Sequence, residues 1–236
     1  MFLAVPTSCL KIFCSKGFFS WKNWFHFDNN NRMTALIISI GLGYLFGNIQ
    51  TAYYLGKWTR KIDIREHGTA NAGASNVTLT LGLGYGIVTF LIDVSKGFLA
   101  LFLVRHYFPS EPTIALLAGI FAILGHIYPF FMGFRGGKGV STLYGVLLAA
   151  DWRVGLIAFG IQSLITLVSN YVAVGSIAVF ILLPFITYHF DHSLTRLGLT
   201  VAIMSLLFFQ HLPNLRKIYS GSERGFWEVL LKKKAL

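Results

Sequence analysis

Apolar residues in this chain come in long blocks, separated by short polar stretches that carry glycine. Seven blocks stand out, at roughly 33–56, 84–104, 112–131, 140–150, 154–168, 171–189 and 196–210. A helix needs about 20 residues to cross a bilayer, and most blocks approach that length. Those at 140–150 and 154–168 fall short, so they are expected to cross part of the way or to pair with each other. No internal repeat is evident. The pattern predicts an all-α polytopic membrane bundle of about seven hydrophobic helices. It forms one domain over 33–225, with an N-terminal extension before it and a basic tail, 226–236, after it.

Composition supports this picture. The chain is 55% apolar and only 12% charged, against about 25% charged in a soluble domain. The net charge of +11 would suit nucleic acid, but the cations lie in loops between apolar blocks. There they set orientation and meet anionic lipid. With the N-terminus outside and the C-terminus inside, the inner loops and tail hold twelve cations, from Lys57, Arg60, Lys61 and Arg65 to Lys232, Lys233 and Lys234. The outer loops hold three, Arg105, Arg153 and Arg196. That bias selects the orientation. Cys9 and Cys14 are the only cysteines, so no disulfide framework is expected, and no His, Asp or Glu cluster has metal-ligand spacing. Residues 1–32 are aromatic and mildly basic. No cation precedes their first apolar residues, as a signal peptide would require, and translation is expected to start at Met33.

This orientation puts three polar stretches on the inner face. The middle one, Gly125 to Thr142, reads G-H-I-Y-P-F-F-M-G-F-R-G-G-K-G-V-S-T. Three glycines and two cations within five residues interrupt two apolar helices. Glycines let backbone N–H groups turn toward a ligand, and the next helix aims its N-terminus at the same place. Arg135, Gly136, Gly137, Lys138 and Gly139 thus form a candidate phosphate cradle, with His126 just before it. The plainer reading is a basic loop that only fixes topology. A nucleotide-binding P-loop does not fit. Gly133 and Gly137 enclose three residues, and Gly139 follows Lys138 where that motif needs Ser or Thr.

The first stretch, Glu66 to Leu79, offers Thr69, Asn71, Gly73, Ser75 and Asn76. Small residues permit close backbone approach, and hydroxyls and amides can hold phosphate or hydroxyl oxygens. Its plainer reading is a capped turn into the next helix. In the third stretch, His211, Asn214 and Lys217 recur every three residues and could line one groove. Asp93 and Lys96 stand three apart inside an apolar block, where charge is costly and usually paired. They form either a structural ion pair or, through Lys96, part of the groove. His126 has two equal readings, a bond to the loop backbone or a contact to substrate. No nucleophile system or paired-carboxylate arrangement stands out.

Taken together, the three stretches resemble the bacterial glycerol-3-phosphate acyltransferase family that uses acyl-phosphate as donor. Its first motif, about G-S-G-N-x-G-A-T-N-x-x-R, is answered by Gly68 to Leu79. Its second, G-H-x-x-P-x-F-F-G-F-K-G-G-K-G-V-A-T, is answered by Gly125 to Thr142. Its third, H-x-x-N-I-x-R-L-x-x-G-x-E, is answered by His211 to Glu223. Asp93, Lys96 and Gly97 fall where the family has D-x-x-K-G. The resemblance covers about residues 33–225. There are departures. Thr69 replaces a serine, Ala70 a glycine and Ser75 a threonine. Leu79 replaces the arginine that ends the first motif, and Lys217 replaces an arginine in the third. Ala173 and Ser176 stand where the family often has two serines after Tyr171.

The resemblance implies a seven-helix enzyme of the bacterial cell membrane. It would make 1-acylglycerol-3-phosphate and phosphate from acyl-phosphate and glycerol-3-phosphate, the first acylation of phospholipid synthesis, without a cofactor. Lys138, His211 and Asn214 are the expected catalytic residues. The expected substrate-binding residues are Thr69, Asn71, Gly73, Ser75, Asn76, Lys96, His126, Arg135, Gly136, Gly137, Gly139, Ser176 and Lys217. Expected partners are the two substrates and membrane lipid, not nucleic acid. Leu79 keeps open a relative acting on another phosphorylated or lipid substrate. Broken helices and buried charge keep open a non-catalytic membrane partner or an anion transporter.

Overall fold

The computed structural model describes residues 32–231, and every regular element among them is helical. In order these are α1 (Arg32–Gly47), α2 (Thr51–Arg60), α3 (Ala74–Leu81), α4 (Leu83–Tyr107) and α5 (Pro112–Ile127). They continue with α6 (Val140–Ala150), α7 (Trp152–Ser169), α8 (Val172–Phe190), α9 (Leu194–Tyr219) and α10 (Phe226–Leu231). The expectations for the N-terminal extension and for Lys232 to Lys234 concern residues outside the described range, apart from Arg32.

Among the described residues, six segments are long and apolar enough to cross a membrane: Arg32–Arg60, Leu83–Tyr107, Pro112–Met132, Trp152–Ser169, Val172–Phe190 and Leu194–Tyr219. The fifth apolar block is therefore a full-length helix of 18 residues, not a partial span. Only α6 is short. Its 11 residues rise about 16 Å, half of a hydrocarbon core of about 30 Å. The outward faces of the long helices keep large apolar side chains exposed, Val168 at 82% and Phe185 at 73%. That is the surface expected against lipid.

The first apolar block is two helices. The break at Asn48–Gln50 is bonded to the end of α5. Asn48 Oδ1 accepts from the Phe130 amide at 3.1 Å, and Gln50 Nε2 donates to the His126 carbonyl at 3.1 Å. The last block extends beyond 210, because α9 continues through Pro213 to Tyr219. The tail begins with a helix, α10, whose first amides donate to Asn170.

The six long segments and α6 alternate in direction along the chain. The ends of α2, α5, α7 and α9 therefore meet the starts of α4, α6 and α8 at one end of the bundle, hereafter the site end. At the other end, Arg105 donates to the carbonyls of Ala149 and Ala150, closing the C-terminus of α6. Asp191 pairs with Arg196 there. The main core draws on α4, α5, α6, α8 and α9, and a smaller one, including Ile64, Val77 and Met132, lies under the site-end loops.

Lipid supplies no hydrophobic force between helices, so close packing of small residues decides where they meet. A Cβ on Gly97 would lie 2.2 Å from the Thr142 carbonyl oxygen, and one on Gly145 would lie 1.9 Å from that of Val94. These contacts hold α6 beside the middle of α4, so α6 begins deep within the bundle. The loop before it descends from the site end and leaves a recess.

Candidate active site

Asn76 organises the first stretch. Its Oδ1 accepts from the Thr69 amide at 2.7 Å. The two hydrogens of its Nδ2 are shared among the carbonyls of Ile64, His67 and Asn71, at 2.8, 3.0 and 2.8 Å. With four partners and no exposed surface, it folds the loop into a ring around itself. The ring presents Thr69 and Asn71, which are bonded to each other at 3.0 Å. Arg65 ties this loop to the next. It pairs with Asp63 at 2.7 Å and donates to the Met132 and Arg135 carbonyls at 2.7 and 3.2 Å. Bonding to Arg65 holds the Asp63 carboxyl below its usual range.

The glycine loop turns back on α5. The amides of Gly136 and Gly137 donate to the carbonyls of Ile127 and His126 at 2.9 and 3.1 Å, and the Gly136 carbonyl accepts from Ala72 at 3.4 Å. These two amides cap α5 and are not free for an anion. The amides at the start of α6, beyond Gly139 (φ +85°), retain that role. The ammonium of Lys138 projects into the recess and donates to Asn214 Oδ1.

The third stretch lies on the last turns of α9. Asn214 Nδ2 donates to Glu223 Oε1 at 2.6 Å, so Asn214 bridges Lys138 and a carboxylate. His211 is 3% exposed and packs on Phe180, with ring centroids 5.1 Å apart. Its Nδ1 lies 2.8 Å from the Leu207 carbonyl. A carbonyl only accepts, so Nδ1 carries the hydrogen and Nε2 keeps a lone pair.

Two cavities meet around Lys138. The smaller, about 200 Å³, is polar and is lined by Thr69, Asn71, Gly136, Gly137, Lys138, Asn214 and Lys217 among others. The larger, about 480 Å³, shares Thr69, Asn71, Lys138 and Asn214 and adds Gly73, Ser75, His126, Gly139, Ser176, His211 and Glu223. It continues past Tyr144 and Gln162, bonded to each other at 2.5 Å, to Phe90, Phe159, Leu167 and Phe226. A polar, cationic chamber thus opens onto an apolar one between helices. This suits a substrate with a phosphorylated head and a hydrocarbon tail.

Thirteen of the sixteen expected site residues line this space. Asn76 does not, because its amide is fully used in the loop. Arg135 points outward, and only its carbonyl is engaged, by Arg65. Lys96 is 2% exposed and bonds to Asp93, His126 and the Ile49 carbonyl behind the recess. Glu223, Tyr144, Gln162 and Phe226 were missed. Glu223 closes the third motif, and Gln162 is an amide inside an apolar block, so both left a trace in the sequence. Tyr144 and Phe226 left none.

Burial lowers Lys138 to about 8, with Glu223 opposing the shift and Lys217 adding to it. The cation is present below that pH and lost above it. Since kcat/KM reports the free enzyme, it should be flat well below pH 8, fall to half near that pH and approach a tenfold fall per unit above it. Lys138→Arg, whose guanidinium does not titrate there, should remove that alkaline limb. Initial rates across pH, corrected for spontaneous hydrolysis, check this.

Comparison with known proteins agrees with this geometry. Residues 37–221 match the glycerol-3-phosphate acyltransferase family. A glycerol-3-phosphate acyltransferase of Alkaliphilus metalliredigens is 34% identical over 192 residues, 81% of this chain and 96% of the relative. One of Thermoanaerobacter pseudethanolicus is 37% identical over 191 residues, 81% and 95% of the two chains. Crystal structures of PlsY, an integral membrane glycerol 3-phosphate acyltransferase, have the same fold. Its glycerol 3-phosphate form superposes with a TM-score of 0.78 at 32% identity, covering 85% of this chain and 100% of that one. Its lysophosphatidic acid form gives 0.74, covering 84% and 100%. The chain is an integral multi-pass membrane protein and belongs to the glycerol-3-phosphate acyltransferase family.

Proposed function

We propose that the protein moves an acyl group from an acyl-phosphate to the 1-hydroxyl of glycerol-3-phosphate. The products are 1-acylglycerol-3-phosphate and inorganic phosphate. The observation that carries this reading is Lys138, which borders the polar chamber and the apolar one and is bonded to Asn214 from the third motif. The excess of cations in the loops at the site end supports a cytoplasmic position for it, where water-soluble glycerol-3-phosphate would arrive while the acyl tail enters from lipid.

In this scheme Lys138 and the first amides of α6 hold the donor phosphate. Thr69, Asn71, Asn214 and Lys217 hold glycerol-3-phosphate. The Nε2 lone pair of His211 orients the attacking hydroxyl. The new ester C–O bond forms as the acyl C–O bond to phosphate breaks, and the proton passes to a substrate phosphate oxygen. Since an acyl-phosphate is already activated, positioning and charge neutralisation suffice, and no acyl-enzyme is required. Purified protein in lipid should release phosphate from acyl-phosphate only when glycerol-3-phosphate is present. Release without acceptor, or none at all, would overturn the reading.

Leu79 tests the acceptor. It lies one turn after Ser75 on α3, and its Cδ2 would be 3.1 Å from a Cβ on Gly68, beside Thr69. Helical side chains lean toward the N-terminus, so an arginine there would extend over Ser75 toward Thr69. Leu79→Arg should lower KM for glycerol-3-phosphate by about tenfold, the worth of one charged hydrogen bond. Steady-state kinetics would show it. A fall for a different phosphorylated acceptor, with none for glycerol-3-phosphate, would reassign the substrate.

A further inference from the structure

Two histidines border the larger cavity, and their ring hydrogens are placed in opposite ways. His211 keeps a lone pair on Nε2 because Nδ1 donates to Leu207. His126 is 3% exposed, and its Nδ1 lies 2.8 Å from the Lys96 ammonium. That ammonium is hydrogen-bonded to the Ile49 carbonyl at 2.6 Å and to His126 Nδ1, and it is ion-paired with Asp93 Oδ1 at 2.7 Å. An ammonium has no lone pair, so His126 Nδ1 must accept. The alternative partner for an Nδ1 hydrogen, Asp93 Oδ1, is 3.7 Å away, beyond hydrogen-bond reach. The ring hydrogen is therefore on Nε2.

Nε2 faces the substrate space. It lies 2.2 Å from where a Cβ on Gly137 would stand. It has no hydrogen-bond partner among the described residues, while the His126 ring lines the cavity with Lys138. An unpaired, largely buried N–H beside the cation that grips phosphate is a donor awaiting an acceptor. The Asp93–Lys96 pair behind it reaches no substrate and has an evident task, which is to hold the ring and its tautomer.

We infer that His126 donates through Nε2 to an oxygen of the phosphorylated substrate seated at Lys138, and that Lys96 and Asp93 are positioning residues that lock this tautomer. The inference rests on the acyl-transfer reading only for what the oxygen belongs to. It also separates the two histidines, with His126 giving a hydrogen bond and His211 receiving one.

The first test does not need turnover. Long-range ¹H–¹⁵N correlation on ring-labelled wild-type protein in detergent or nanodiscs should show His126 in the Nε2–H form, with that hydrogen shifted on adding glycerol-3-phosphate or inorganic phosphate. An Nδ1–H form, or a signal indifferent to both anions, overturns the inference even if the protein proves an active acyltransferase. The second test contrasts two variants. His126→Asn keeps an acceptor near Nδ1 for Lys96 but has no donor at the reach of Nε2, so kcat should fall about a hundredfold. His126→Gln reaches the cavity with its amide and should recover about tenfold of that loss. If the ring only buttressed Lys96, the order would reverse. In a Lys96→Met, Asp93→Asn pair, which leaves no unpaired charge, the Nδ1–H form should appear and kcat should fall about tenfold. An unchanged tautomer in that pair removes the positioning role.

Discussion

Replacing Lys138 by alanine should lower kcat by about a hundred- to a thousandfold, the range for a lost oxyanion donor. The protein should still fold in the membrane. The size follows from where the ammonium is. It lies between two cavities, donates to Asn214 and, largely buried, has few waters to replace it. A phosphate leaving an acyl carbon gains negative charge as the bond breaks, and a cation fixed before the event stabilises that state without reorganisation. The surroundings need not collapse, because Asn214 remains bonded to Glu223 at 2.6 Å and α9 is anchored in the main core by Leu207 and Met204. Acceptor-dependent phosphate release measures the loss, and thermal unfolding within a few degrees of wild type would show that the fold is intact. Lys138→Arg should recover part of the rate, since charge returns with a different shape. Wild-type turnover in Lys138→Ala would remove the grip on phosphate as the basis of the reaction.

Much of this arrangement is legible in the sequence because a membrane imposes length and apolarity on each span. Where reading stops short, the reason is local. The block at 154–168 looks too short because Gln162, Ser163 and Thr166 dilute it, yet these residues line the cavity. The last block seems to end at 210 because His211, Asn214 and Lys217 are polar, but α9 carries them into the site. The break at Asn48–Gln50 is made by partners some eighty residues away, Phe130 and His126, and has little local signal. Within the site, the order of three motifs brings the right stretches together, and residue type suggests phosphate. Residue type does not show which polar groups are already used. Asn76 and Lys96 carry suitable chemistry but spend it on the fold. The Gly136 and Gly137 amides, which glycine content would offer to an anion, are taken by the end of α5.

Gly137→Ala should abolish most activity although it removes no functional group. The added Cβ would lie 2.2 Å from His126 Nε2, 2.9 Å from its Cε1 and 2.8 Å from the Ala72 carbonyl oxygen. Neither neighbour can yield cheaply. The His126 ring is held through Nδ1 by Lys96, and its own carbonyl accepts the Gly137 amide at 3.1 Å. Ala72 is buried and joined to Gly136. The glycine loop must therefore shift, and Lys138, the next residue, shifts with it. A displacement of about 1 Å at a reacting centre can cost about a hundredfold in rate, and overpacking here should cost about 1–3 kcal/mol in stability. Gly41→Ala is the control. A Cβ there meets nothing within 4 Å, so turnover should be unchanged and stability equal or slightly higher. Kinetics and thermal melts on both variants decide the matter. Full activity in Gly137→Ala would mean that the close approach of His126 to the glycine loop does not place Lys138, and its position would have to come from Asn214 and α9 alone.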